Sequence, residues 1–239
     1  MPLQLGLVLL FLALGMGYSA RAGKLTIPAV WTGGALGLLI YLGTGFLGLG
    51  LLALFFGLGT AASAWKVADK RRLGLAEANK GRRTARQVLA NAGVAGFLGF
   101  AAWLYPTHAP LGRLLLAGSF AAATADTLAS ELGNIYGRRY VNILTFRPDQ
   151  RGLDGVVSLE GTLLGLAGTA LVAAGYCAVE GWLPACWVLL LAGTVGNLSD
   201  SVLGATLERR RYLPNDAVNF LNTLIGALTA AGLYWWSLR

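Results

Sequence analysis

Residues 121–133 read AAATADTLASELG, and residues 192–208 read AGTVGNLSDSVLGATLE. Each is a run of small and apolar residues interrupted by an acid, Asp126 in the first and Asp200 in the second. An ionisable side chain at the centre of a membrane helix costs roughly 3 kcal/mol or more, so it turns toward a protein-lined polar cavity rather than toward lipid. The two segments therefore predict a bundle of membrane helices built around a buried polar site.

The whole chain agrees. Of 239 residues, 56% are hydrophobic and 13% are charged, and mean hydropathy is +0.61. Soluble domains carry about 25% charged residues, which excludes an ordinary water-facing fold. The 34 glycines suit helices that pack closely in lipid. The expected fold is all-α, a single integral membrane domain over 1–239 with about eight transmembrane helices. The spans are read at 3–20, 27–42, 46–65, 88–105, 111–131, 158–178, 185–207 and 217–238, with Gly43-Thr44-Gly45 as a tight turn between the second and third.

The basic residues test that count. Seventeen of the 19 Lys and Arg fall in the alternate loops 21–26, 66–87, 132–157 and 208–216, and only Arg113 and Arg239 fall near the other side. By the positive-inside rule these four loops are cytoplasmic and both termini lie outside, in a cell (inner or plasma) membrane. Topology thus accounts for the net charge of +8, and no nucleic-acid partner is expected. The opening MPLQLGLVLL lacks the Lys or Arg of a signal peptide and is read as a span. Cys177 and Cys186 flank an outer loop where a disulfide is possible, although two small buried apolar residues is the favoured reading. His108 reads as a solvated outer-loop residue.

The polar residues gather at one side of this topology. Asp126 and Glu131, Glu160, Asp200 and Glu208, Asp216, Asn219 and Asn222, and Gln87 and Asn91 all fall near cytoplasmic span ends. Asn197, Asp200, Ser201, Gly204 and Glu208 share one helical face, as do Thr84, Gln87 and Asn91. Asp126 and Glu131 are about 140° apart on an ideal helix and share an ion only if the helix ends near Ser130. Transporters usually place their site near the midplane. A layer at one face suits an enzyme that meets a soluble reagent and a lipid together.

Carboxylates facing one pocket call for a cation, and Mg²⁺ takes one or two of them plus phosphate oxygens. Asp126, Asp200 and Glu160 are candidates on this ground. Arginines and lysines in the flanking loops supply phosphate donors. Acids for a metal beside guanidiniums for phosphate is the layout of phosphoryl transfer. The segment Asp149–Gly155, with glycines at 152 and 155, offers backbone N–H groups to a phosphate.

Four segments in order carry a resemblance: Lys80-Gly81-Arg82-Arg83 leading to Gln87–Asn91, Ala123–Gly133, Gly155–Thr162 and Asp200–Thr206. Together, over about 80–223, they resemble the phytyl-phosphate kinases of tocopherol synthesis and their relatives, the animal transmembrane protein nineteen group among them. Glu160 stands where that pattern has a small or polar residue. The resemblance implies a membrane kinase that phosphorylates an isoprenyl monophosphate to the diphosphate with a nucleoside triphosphate, CTP favoured, and Mg²⁺. On it, Asp126, Glu131 and Asp200 are the expected catalytic acids and metal ligands. Lys80, Arg82, Arg83 and Arg139 are the expected phosphate contacts. Asn91, Glu160, Ser201, Asn219 and Asn222 complete the substrate pocket, and the prenyl tail lies in a groove lined by glycines such as Gly161, Gly165 and Gly168. Two alternatives share the anion pocket: a transporter or flippase of an isoprenoid phosphate, and a cytidylyltransferase acting on a lipid phosphate.

Overall fold

The structure, a computed structural model, describes residues 2–75 and 81–237. It is helical almost throughout: α1 (Pro2–Arg21), α2 (Ile27–Ala64), the short α3 (Val67–Arg72), α4 (Ala85–Leu104), α5 (Ala109–Tyr136), α6 (Leu159–Glu180), α7 (Pro184–Leu203) and α8 (Asn215–Ser237). A two-stranded antiparallel ladder, β1 (Val141–Asn142) on β2 (Val156–Val157), ties the loop between α5 and α6.

The 38-residue α2 is two passes. At Gly45 the backbone takes φ 65°, ψ −151°, outside any helical region. The chain then doubles back: at the start of α2 Leu25 pairs with Arg83, and near its end Gly59 packs against the same Arg83. Each half is long enough to span about 27 Å, close to the hydrocarbon thickness. Gly43 lets this hairpin pack tightly on α4, because a Cβ there would lie 1.8 Å from the Gly99 carbonyl oxygen of α4. Gly43→Ala is therefore expected to force α2 and α4 apart, at about 1–3 kcal/mol or more. Thermal unfolding in detergent reads this against Gly6→Ala, where a Cβ meets nothing within 4 Å.

Six of the described helices are long and apolar enough to cross a membrane, with α2 counted once. The long helix outside that group, α5, is the most enclosed. Ten consecutive residues, Leu116–Ala125, are buried, and α2, α4, α6, α7 and α8 all pack on it. A central helix meets protein on every side, so it needs small residues more than hydropathy. With α2 doubled and α5 at the centre, the described residues form the eight-pass bundle expected of the sequence.

The four basic loops meet at one end of the bundle. Thr26 N–H donates to the Arg83 carbonyl, Trp65 Nε1 to Tyr136 and Arg209 to Asp149. At the opposite end Arg113 pairs with Glu180 at 2.7 Å, and His108 is exposed in a 3₁₀ turn. Cys177 and Cys186 are joined there as a disulfide, with Cα atoms 6.4 Å apart, which corrects the favoured reading of two unpaired apolar residues. Gly161, Gly165 and Gly168 correct another expectation. A Cβ at each would collide with α5, at the Ala129 carbonyl, the Ala125 carbonyl and Leu128 respectively. These glycines let α6 close on α5 rather than line a groove between the two helices.

Candidate functional site

A polar cavity of about 260 Å³ opens at the end where the basic loops meet, enclosed by α4, α5, α6, α7, α8 and the loop after α5. Its wall is built from local rules. Thr84 caps α4, accepting from Gln87 N–H while Gln87 Oε1 accepts from Thr84 N–H. This reciprocal cap fixes the first turn of α4, and the next turn places Asn91 in the cavity with its amide on the Gln87 carbonyl at 3.0 Å. From α7 come Asn197, Asp200, Ser201, Gly204 and Glu208, the whole face read from the sequence. The last of these arrives through a π-helical turn, Gly204–Glu208, that ends α7. Single π turns recur at functional sites because they re-aim side chains.

Asp126 from α5 and Asp200 from α7 both line the cavity, near enough for their carboxyl groups to interact. One oxygen of Asp200, Oδ1, is buried without a hydrogen-bond partner among the described residues. Asp154 and Glu208 stand near enough to interact electrostatically with Asp200. Among the described residues that line the cavity, Arg83 is the cation. Its backbone is pinned by Arg83 N–H to the Lys24 carbonyl at 2.9 Å and by Thr26 N–H to its own carbonyl at 3.0 Å. Its guanidinium lies over the Phe55 ring at 5.8 Å.

Of the residues expected from the sequence, the cavity brings together Asp126, Glu131, Asp200, Arg83, Asn91, Ser201 and Asn219. Four others stand elsewhere. Arg82 turns to the Leu25 carbonyl. Arg139 is exposed and off the cavity wall. Glu160 accepts from Arg138 N–H at 3.3 Å. Asn222 is wholly buried beneath the site, against Gly196. Lys80 lies outside the described residues.

Glu131 also departs from its expected part. The helix runs past Ser130 to Tyr136, so Glu131 sits about 140° around it from Asp126, although both line the cavity. Its carboxylate is taken by Lys70 Nζ at 2.5 Å and by Ser63 Oγ at 2.8 Å. Lys70 is 2% exposed, and its ammonium also reaches the Ala62 and Ser63 carbonyls. All three of its donors are used, two of them on the carbonyls that end α2.

The loop after α5 closes the cavity and contributes residues that sequence reasoning did not single out, Tyr140 and Asp154. Tyr140 donates to the Gly133 carbonyl at 2.9 Å, and burial pushes its phenol above the ordinary value. Asp149 anchors the same loop to Arg209 at 2.8 Å, and that guanidinium holds its carboxyl below the usual range. Gly155 is spent on packing: a Cβ there would lie 2.4 Å from Ala205 N.

The model of the family described as integral membrane protein DUF92 matches residues 9–227. The chain belongs to this family. As a DUF92 protein it has relatives in a plant, a cyanobacterium and an archaeon. Protein VTE6, chloroplastic, of Arabidopsis thaliana is 35% identical over 82% of the chain, a stretch that spans 61% of the plant protein's own length. An uncharacterized membrane protein of Synechocystis is 34% identical over 83% of the chain and 78% of its own length. One of Methanocaldococcus jannaschii is 32% identical over 80% of the chain and 77% of its own. No solved structure matches the chain.

Proposed function

We propose that this DUF92 protein is a membrane-embedded kinase that converts an isoprenyl monophosphate to the diphosphate, with CTP as the favoured phosphoryl donor. The observation that carries the reading is the pair of interacting carboxyls, Asp126 and Asp200, in a polar cavity that also holds Arg83. The motif resemblance over residues 80–223 and the family membership support the same class.

The pair fits Mg²⁺. Asp200 Oδ1 is buried and unengaged by any described residue, and hard oxygen ligands are what this ion takes. Among the described residues no group of three His, Cys, Asp or Glu converges into a closed metal cage. Asp126 and Asp200 would therefore hold the ion together with phosphate oxygens and water, which is how Mg²⁺ commonly sits in phosphoryl-transfer sites. When bound, the ion neutralises charge on the donor phosphates. Glu131, engaged by Lys70, has no place in that set.

An oxygen of the acceptor monophosphate attacks the γ-phosphorus, a new P–O bond forms, and the bond to the β-phosphate breaks to release the nucleoside diphosphate. The acceptor is already an anion, so no strong general base is needed. The work is positioning and charge neutralisation. Arg83 holds a phosphate as a bidentate donor, while Asn91, Ser201 and Asn219 orient polar groups in the cavity. All four basic loops surround this end, which the charge rule assigns to the cytoplasm. The site thus opens to cytosolic nucleotide in a cell membrane, with both termini on the far side.

Purified protein incubated with CTP, Mg²⁺ and geranylgeranyl or phytyl monophosphate tests this. CDP and the isoprenyl diphosphate are the expected products. Pyrophosphate and a CDP-lipid would assign a cytidylyltransferase instead, and no turnover with any nucleotide would leave transport.

A further inference from the structure

A second cavity, about 540 Å³, lies between α1, both halves of α2 and the start of α4. Its wall is largely apolar, with Phe11, Met16, Leu52 and Phe56 among its residues, and it carries Lys24 as well as Arg83. That volume is within the roughly 300–1,000 Å³ of cavities that enclose a ligand of drug size. Three residues belong to both cavities: Arg83, Gln87 and Asn91. The apolar groove therefore ends where the polar site begins, and the shared border carries a guanidinium and two amides. Gly59 makes room for that guanidinium, since a Cβ there would lie 2.6 Å from Arg83 Nη2. An apolar channel with a cation at its inner end selects a long hydrocarbon bearing a terminal anion.

We infer that this groove holds the isoprenyl chain of the substrate, with its phosphate drawn to Arg83 at the border with the Asp126–Asp200 site. The inference rests on the kinase reading for the identity of the ligand, and it moves the lipid tail to the α1–α2–α4 side. Its physical content is separable, because chain binding is measured without turnover. Gly33 and Gly57 both line the groove, and a Cβ at either meets nothing within 4 Å. A larger side chain there enters the groove rather than a neighbouring backbone.

The test measures binding of isoprenyl monophosphates of graded length to the full chain in phosphatidylcholine nanodiscs, for wild type, Gly33→Leu and Gly57→Leu. Thermal unfolding serves as the control for fold. Wild-type affinity should rise with chain length. The variants should lose about tenfold or more on the geranylgeranyl compound, the effect of expelling two or more methylenes from apolar contact, and lose little on the dimethylallyl compound. Unchanged long-chain affinity in both folded variants would overturn the inference. So would a wild type indifferent to chain length, or displacement of the probe by phosphatidic acid as readily as by a second isoprenyl monophosphate. If chain-length selectivity follows the groove and no nucleotide is turned over, the kinase reading fails and the groove stands. If turnover occurs and both variants leave chain selectivity intact, the groove assignment fails alone.

Discussion

Asp126→Asn and Asp200→Asn are each expected to lower phosphoryl transfer by about a thousandfold or more while the protein still inserts and folds. Asparagine keeps the shape of aspartate and removes the charge, so the packing of α5 on α7 is preserved. Two carboxyls near enough to interact repel when both are ionised. Removing one charge should therefore leave thermal stability in detergent unchanged or raised in the absence of ligand, the pattern of residues held in place for function. The double variant should be no slower than either single one, because two ligands to one ion act as a unit. Initial rates of CDP formation, read beside unfolding temperatures, check all three points. Near-normal rates in both single variants would remove the metal assignment.

The sequence reveals whichever features follow from one helix at a time. The hairpin at Gly43–Gly45, the common end of the four basic loops and the polar face of α7 are each local patterns, and each is present in the fold. Asp126 and Asp200 stand out because an acid in an apolar run has few reasons to be there, and the helices bring the two together. Features that depend on meeting between distant segments are not visible in the same way. Asp154 enters the cavity only because β1 pairs with β2 and Gly155 lets the loop sit on Ala205. Arg139 and Arg83 look alike in sequence. Only Arg83 is held to the strand-like segment before α2, and that contact points it inward. The groove escapes detection because its small residues come from separate elements, Gly15 from α1 and Gly33 and Gly57 from the two halves of α2. Gly161, Gly165 and Gly168 form a regular stripe on one helix, a pattern that small-residue packing in membranes produces by itself.

Lys70 is the other residue whose part is hidden in sequence, since it belongs to the basic loop that reads as topology signal. Lys70→Met should destabilise the protein by about 3–5 kcal/mol, the cost of leaving a buried partner charge uncompensated. The pair ties the end of α2 to α5, so its loss should loosen α5 at the turn after Asp126 and lower activity together with stability. Lys70→Met combined with Glu131→Gln removes both charges, and much of the stability should return. Activity in that double variant separates two parts for Glu131. If Glu131 serves only to hold Lys70, turnover recovers along with the fold. If its carboxylate also binds the metal, the double variant is stable and inactive, and no increase in Mg²⁺ below denaturing levels restores a wild-type rate. Recovery is the expected outcome, because the two oxygens of Glu131 are already bonded to Lys70 and Ser63. A carboxylate so engaged would have to give up a buried ammonium in order to ligate an ion.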